Sequence, residues 1–395
     1  MAHFQRRIIF AAILIHVFVM VATSEPVAIP TPSPSAIAYQ KISDFVWGSN
    51  QILTLLLPVA AIVAASRLRV ATATNRKYLT FTLVAAIFLF LRWLIQMPLE
   101  RLRVNALNQA KNAVGPSFAA WSVDRFLDSL PTIIVSILVS LLVFLIINKS
   151  PRRWWLWTTA VFSLLALVVL TGEPLTQEHR PIGNSPIEIK IADLAMRAGV
   201  PPDSIFLEKC EPFDSCDIAH VSGLGPTRVI LLNEELLARY PEDWTIQTVA
   251  HEAKHLVADD NLVGWIVLTL IFSAFFGLAN LVCRKLIFRF PKQLGLTSIG
   301  DPLAFPLMIL VLNLVYLTAL PPINLFRQHV EFEADRFALE LTHKNRAFAE
   351  MVSGWTTESK TRVPSPSRFF MLFRSSHPSD AERIAFANED QSKNK

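Results

Sequence analysis

The sequence predicts a mainly α, multi-pass helical membrane protein with a small α+β domain outside the bilayer. Three observations predict it. Of its 395 residues, 52% are hydrophobic and only 17% charged, and the mean hydropathy is +0.40, outside the balance of a soluble domain. Seven apolar runs approach or reach the length needed to cross a hydrocarbon core of about 30 Å. The polar sequence is gathered into a few blocks between those runs.

The runs lie at 8–23, 50–66, 78–97, 130–147, 154–170, 263–283 and 303–320, which gives about seven transmembrane helices. The first follows Arg6 and Arg7 and precedes "SEPVAIPTPSPSA", a pattern that also suits a cleaved signal peptide. The second carries Pro58, which a span tolerates when neighbours satisfy the freed carbonyl. The proline-rich stretch 24–37 reads as a semi-rigid extended linker. The block 98–129, "PLERLRVNALNQAKNAVGPSFAAWSVDRF" and the residues after it, reads as a helical loop broken at Gly115–Pro116.

Four regions follow: 1–170 as an amino-terminal membrane region of five spans, 171–262 as an extramembrane unit, 263–322 as a two-span hairpin, and 323–395 as a carboxyl-terminal unit. Within 171–262, Ser185–Pro186 starts a helix that Gly199 stops, with Ile187, Ile191, Leu194 and Ala195 on one face. "SIFLEKC" and "TRVILLN" read as strands, with "GLGPT" as the turn before the second. From Asp243 the pattern is helical, with Trp244, Ile246, Val249, Ala250, Ala253 and Val257 spaced for one buried face. The last region opens on a long helical stretch and ends in a polar tail.

The net charge of +5 does not call for nucleic acid, because the cations flank the spans. Arg6, Arg7, Arg67, Arg69, Arg76, Lys77, Lys149, Arg152, Arg153, Arg284, Lys285, Arg289 and Lys292 fall on one side. The short loops of the other side hold five, Lys41, Arg101, Arg103, Lys111 and Arg125. The positive-inside rule then makes the amino terminus cytoplasmic and puts both polar units outside. Cys210 and Cys216 bracket "EPFDS" there; they suit either a disulfide or two unpaired thiols. Cys283, at the cytoplasmic end of the sixth span, needs no partner.

The chemistry is concentrated in "TVAHEAKHLVADDN", residues 248–261. On a helix, positions i and i+4 share a face, so His251 and His255 can offer two imidazole nitrogens to one ion. Glu252 is offset from them and suits a general base acting on water at that ion. A catalytic zinc takes three protein ligands and keeps one position open, so a third ligand is required. "HVEFEADRFA" supplies Glu331, with Asp335 one turn on, after a pair of spans that leave and return to the same side. Glu331 can complete a His₂Glu set, and Asp335 can orient a ligand histidine through its remaining N–H. The bland alternatives are a solvated helix end for the first motif and a charged helix face for the second.

These residues resemble the M48 membrane metallopeptidases, and within them the Ste24-type CAAX prenyl protease group. "HEAKH" is similar to the family's zinc helix, "EFEAD" to its third-ligand motif, and "SHPSDAERI" to its histidine–proline–arginine signature. "GLGPTRVILLNEELL" and the 98–129 loop are similar as well, so nearly the whole chain is covered. The resemblance implies one Zn²⁺ per chain on His251, His255 and Glu331, with Glu252 as base and proton donor. It implies Asp335 as the carboxylate behind the ligands, with His377 and Arg383 near the substrate or the developing oxyanion. It also implies helices ringed around a chamber, retention of the run at 8–23, and hydrolysis of peptide bonds in membrane-associated or envelope proteins. The expected partners are a peptide or membrane-protein substrate and the lipid bilayer, with no nucleic acid.

The chain departs from the family pattern at Ala253 and Lys254, where Leu-Gly is usual. Gln328 stands where an arginine is common, and Ile218 where an asparagine is common. The charge distribution also puts the site outside, whereas the familiar eukaryotic members face the cytosol. The competing reading is a non-catalytic transporter or scaffold with a structural or vestigial metal site, for which Arg92 within a span is the motivating feature.

Overall fold

The computed structural model describes residues 25–68, 76–176, 178–209 and 217–393. The run at 8–23, the cations Arg6, Arg7 and Arg69, and both Cys210 and Cys216 lie outside the described residues. In chain order the elements are α1 (Pro34–Leu68), α2 (Lys77–Lys111), α3 (Phe118–Lys149), α4 (Trp154–Thr176), β1 (His179–Pro181), α5 (Pro186–Ala198), β2 (Ile205–Glu208), β3 (Ala219–Ser222), β4 (Val229–Asn233), α6 (Glu234–Arg239), α7 (Glu242–Val257), α8 (Asp260–Arg289), α9 (Phe305–Thr342), α10 (Asn345–Glu358), α11 (Arg368–Arg374) and α12 (Asp380–Lys393).

Six of these, α1 to α4, α8 and α9, are long and apolar enough to cross a membrane. They close into a ring in which α1 packs on α2, α2 on α3, α3 on α4, α4 on α8, α8 on α9, and α9 back on α1. Water is excluded from such contacts, so small polar side chains can tie the helices together. Trp154 Nε1 donates to Asn280 Oδ1 at 2.8 Å, Ser163 and Thr269 hydroxyls meet at 2.7 Å, and Trp265 Nε1 donates to the Ser163 carbonyl at 3.0 Å. Those three bonds join α4 to α8. Phe81 stacks on Phe144 at 4.0 Å, while Phe305 meets Phe81 edge-on at 5.4 Å, binding α2, α3 and the start of α9.

Helix lengths depart from the apolar runs for one reason. A bilayer needs about 20 residues of helix, yet α1 and α2 each have 35 and α9 has 38, so polar continuations extend beyond the hydrocarbon. Helix α1 therefore begins at Pro34, inside the expected 24–37 linker, and only 25–33 is extended. The expected 98–129 loop is the outer part of α2 and α3, interrupted between Asn112, which is left-handed at φ 54°, and Ser117, whose hydroxyl accepts from the Ala120 N–H at 3.2 Å. Likewise α9 runs through Pro321 and Pro322 without a break, so span and ligand-bearing segment are one helix. The stretch beyond it does break, at His343 with φ 53°, and the polar tail folds into α11 and α12.

The domain core is a four-stranded sheet in the order β1-β2-β4-β3. β2 and β4 are parallel, and the outer pairings are antiparallel. β1 has only three residues and β3 reads Ala-His-Val-Ser, whereas β2 and β4 are apolar runs, which is why the sequence reveals only β2 and β4. Helix α5 starts with a capping box of Ser185 and Glu188 and ends at Gly199, φ 81°. Its Ile191, Leu194 and Ala195 pack against Ile205, Ile230, Val249, Ala250 and Ala253, so α5, the sheet and α7 share one core. Val257, expected in that core, is exposed because α7 ends there.

Helix α10 closes the other side of α7. A Cβ built on Gly354 would stand 2.0 Å from Trp244 Cη2, so only glycine allows this approach. Ala is ordinarily favoured over Gly in a helix by about 1 kcal/mol. Here Gly354→Ala is expected to destabilise by about 1–3 kcal/mol, the usual cost of overpacking, read as a lower thermal midpoint. Trp244→Phe in the same background should recover part of that loss.

Candidate metal centre

Helix α7 turns its apolar side to the core and leaves His251 and Glu252 lining a cavity of about 1000 Å³ between the domain and the end of the helix ring, with His255 one turn on from His251. Glu331 comes from α9, which crosses α7 at this point. His255 Nε2 lies 3.2 Å from His251 Nε2. Glu331 Oε2 lies 3.3 Å from His251 Nε2 and 3.7 Å from His255 Nε2. A tetrahedral ion with bonds of about 2.0–2.1 Å holds its ligand atoms about 3.3 Å apart. The three side chains thus present one inward-facing triangle of the size a zinc ion requires, and they form a group that could hold a metal ion.

Behind each histidine stands a carboxylate. His251 Nδ1 lies 3.0 Å from Asp335 Oδ1, and His255 Nδ1 lies 2.7 Å from Asp260 Oδ2. A carboxylate can only accept, so Nδ1 carries a proton in both rings, and in the neutral imidazole that tautomer turns the Nε2 lone pair toward the shared centre. Asp335 is itself gripped by Arg383 from α12, whose Nε and Nη2 donate to Oδ2 and Oδ1 at 2.8 and 2.7 Å. Arg383 therefore stands behind Asp335 and also lines the cavity. His377 Nε2 is 3.2 Å from Glu331 Oε2 at the cavity wall. Its loop is held by Gln328, whose Nε2 donates to the carbonyls of Met371 and Ser375 at 2.8 and 2.9 Å. That bond gives the Gln328 departure a local role.

All seven residues singled out in the sequence, His251, Glu252, His255, Glu331, Asp335, His377 and Arg383, are brought to this place. Sequence reasoning does not find Asp260. It lies five residues past His255, out of phase for a continuous helix, and returns to the site because Asp259 adopts a left-handed conformation at φ 54°. Arg228 secures that turn, donating to the Leu256 carbonyl at 3.1 Å and pairing with Asp259. The sole hint in the sequence is the acidic pair directly after the helix. Lys254, whose purpose the sequence leaves open, also points to Asp260, at 2.7 Å.

Burial opposes charge on His251, but hydrogen bonds to Asp335 and Glu331 outweigh it and push the imidazole up to about 10. For His255 burial again opposes charge, while Asp260 and Glu331 raise the pKa.

Residues 182–391 match the model of the family described as peptidase family M48. The chain is 22% identical over 379 residues to a Bacillus subtilis (strain 168) protein described as the uncharacterized metalloprotease YhfN, covering 93% of this chain and 88% of that one. It is 25% identical over 262 residues to CAAX prenyl protease 1 of Saccharomyces cerevisiae, covering 60% of this chain and 56% of the relative. The chain thus spans little more than half of that relative's length. The crystal structure of S. mikatae Ste24p has the same fold, with a TM-score of 0.59 at 18% identity over 88% of this chain and 83% of that one.

An imidazole binds an ion only in its neutral form, so the raised His251 and His255 pKa values predict pH-dependent metal uptake. His251 protonated below about 10 must lose its proton to bind an ion, so zinc affinity of metal-stripped protein is expected to rise as pH increases through the neutral range. Calorimetry in buffers of different ionisation heats at pH 7 should register at least one proton released per ion. An affinity independent of pH would contradict the assignment of these histidines.

Proposed function

The chain belongs to peptidase family M48, and from that premise we propose that His251, His255 and Glu331 hold one zinc ion while Glu252 serves as base and proton donor. The protein is a zinc-dependent integral membrane endopeptidase, and its substrates are peptides beside a lipid bilayer. The observation that carries the residue roles is the inward triangle of two Nε2 atoms and one carboxylate oxygen, with edges of 3.2, 3.3 and 3.7 Å.

Bound at that triangle, zinc supplies Lewis-acid polarisation of a carbonyl and a water acidic enough to ionise near neutral pH. The chain's own residues supply the rest. Glu252 lines the cavity beside His251 and accepts a proton from the attacking water as its oxygen bonds to the carbonyl carbon. The same carboxyl then gives the proton to the departing nitrogen as the C–N bond breaks. Asp335 and Arg383 hold the His251 ring in the tautomer whose Nε2 faces inward. His377 stands beside Glu331 on the cavity side, where its N–H can reach a developing oxyanion. β3 is an edge strand of the sheet, covered at one end by Asn261, whose Nδ2 donates to the Val221 and Gly223 carbonyls, and Ala219 and the preceding Ile218 line the cavity. An extended peptide can therefore pair with this edge through its backbone. Such pairing would select extended, unfolded segments through backbone contacts and not through a side-chain code.

The site faces the outer side of the membrane in this proposal, with the amino terminus cytoplasmic. Its support is the cation count, because Arg67, Lys77, Lys149 and Arg289 all cap the ends of the ring away from the cavity. Substrates are then membrane-associated or envelope proteins of that compartment.

Two outcomes test this reading. Glu252→Gln should retain stoichiometric zinc while cleavage of an unfolded casein-like substrate falls by about 10²–10⁴-fold, the range of general acid–base catalysis; undiminished turnover would remove Glu252 from the mechanism. An alkaline phosphatase reporter fused after Lys395 should be active outside the cytoplasm, and a fusion active only as a cytoplasmic reporter would reverse the orientation.

A further inference from the structure

We infer that Asp260 and Lys254 are positioning residues for the metal centre: Asp260 fixes the His255 ring, and Lys254 fixes Asp260 while tying it to the backbone beside Glu331. The inference rests on the proposal that His251, His255 and Glu331 are the ligands.

The geometry repeats a pattern. On one side His251 Nδ1 meets Asp335, and Asp335 is held by Arg383. On the other, His255 Nδ1 meets Asp260 Oδ2 at 2.7 Å, and the same oxygen accepts from Lys254 Nζ at 2.7 Å. Each ligand histidine thus has a carboxylate behind it and a cation behind the carboxylate. A carboxylate so placed fixes the ring's tautomer and rotation and raises the basicity of the coordinating nitrogen.

The ordinary role of an acidic residue in a helix's first turn is to face water and favour the helix dipole. Asp260 begins α8, yet it is turned inward. The Lys254, Asp260 and His255 side chains are only 15%, 16% and 13% exposed. Long cations seldom surrender hydration unless paired, and Lys254 receives two oxygens here, the Asp260 carboxylate and the Val330 carbonyl at 3.5 Å. Val330 precedes Glu331. Lys254 therefore bridges the three elements that build the centre: α7 with both histidines, α8 with Asp260, and α9 with the third ligand.

This arrangement also ties the centre to the bilayer hairpin. Asp260 is the first residue of α8 and Asp335 lies on α9, so each strand of the hairpin supplies the orienting carboxylate of one histidine. A shift of either helix would reach the corresponding ring directly.

The test is zinc affinity by chelator competition, together with the visible spectrum of the cobalt-substituted full-length protein in detergent. Asp260→Asn is expected to weaken zinc binding about 10-fold and Asp260→Ala about 100-fold, the range found for groups behind metal ligands, each with a shifted cobalt band. Lys254→Met should weaken binding in the same direction, and Lys254→Arg should restore most of it, which a merely bulky side chain would not achieve. Should Asp260→Ala fail to fold, the isosteric Asn variant and the Lys254 pair carry the result. Wild-type affinity and an unchanged cobalt spectrum in Asp260→Asn and Lys254→Met would overturn the inference while leaving the metal site intact. Zinc binding by wild type that survives both His255→Ala and Glu331→Gln would instead sink the ligand assignment on which it rests.

Discussion

A single helix can bring only two adjacent turns to one ion, so in the proposed zinc site a histidine pair four residues apart leaves one ligand to come from elsewhere in the chain. The constraint on this fold is that Glu331 must return to that helix after the chain has crossed the bilayer twice. Helices α8 and α9 meet it by leaving and re-entering at the same end of the ring. Because α9 continues through Pro321 and Pro322 as one rod, the register of a membrane span sets the position of Glu331. The α5–sheet–α7 core then holds the other side of the site rigid, with Val249, Ala250 and Ala253 fully buried beneath the histidines.

Charge is the second condition. Glu252, Glu331, Asp335 and Asp260 bring four carboxylates to one end of a low-dielectric ring, where an uncompensated charge costs several kcal/mol. Arg383 and Lys254 answer two of them, and in the proposed zinc-bound protein the ion would answer the remaining two. The elevated His251 pKa, at about 10, expresses the same excess of negative charge. The two histidines are not equivalent in this balance. Asp335 is only 1% exposed and doubly bonded to Arg383, whereas Asp260 depends on one flexible lysine.

Much of this was legible in the sequence because its signals are local. Apolar runs mark spans irrespective of their surroundings, and an i, i+4 histidine pair shares a face in any helix. Glu331 required one further step, the parity of two spans, and that step is also readable. What was not legible depends on contacts distant in sequence or on backbone reversal. Asp260 reaches His255 only through the left-handed Asp259, a position favoured by glycine and giving no periodic signature. β1 and β3 owe their existence to partners rather than to alternation, and helix ends beyond the bilayer carry no apolar marker. Arg383 could be expected near the centre but not behind Asp335, since its direction is set by the packing of α12.

X-ray absorption at the zinc edge of the loaded full-length protein tests the central claim most directly. The account predicts about four nitrogen and oxygen donors near 2.0–2.1 Å, with the outer-shell scattering of two imidazoles. Sulfur donors near 2.3 Å, or a spectrum without imidazole scattering, would contradict a centre built from His251, His255 and Glu331.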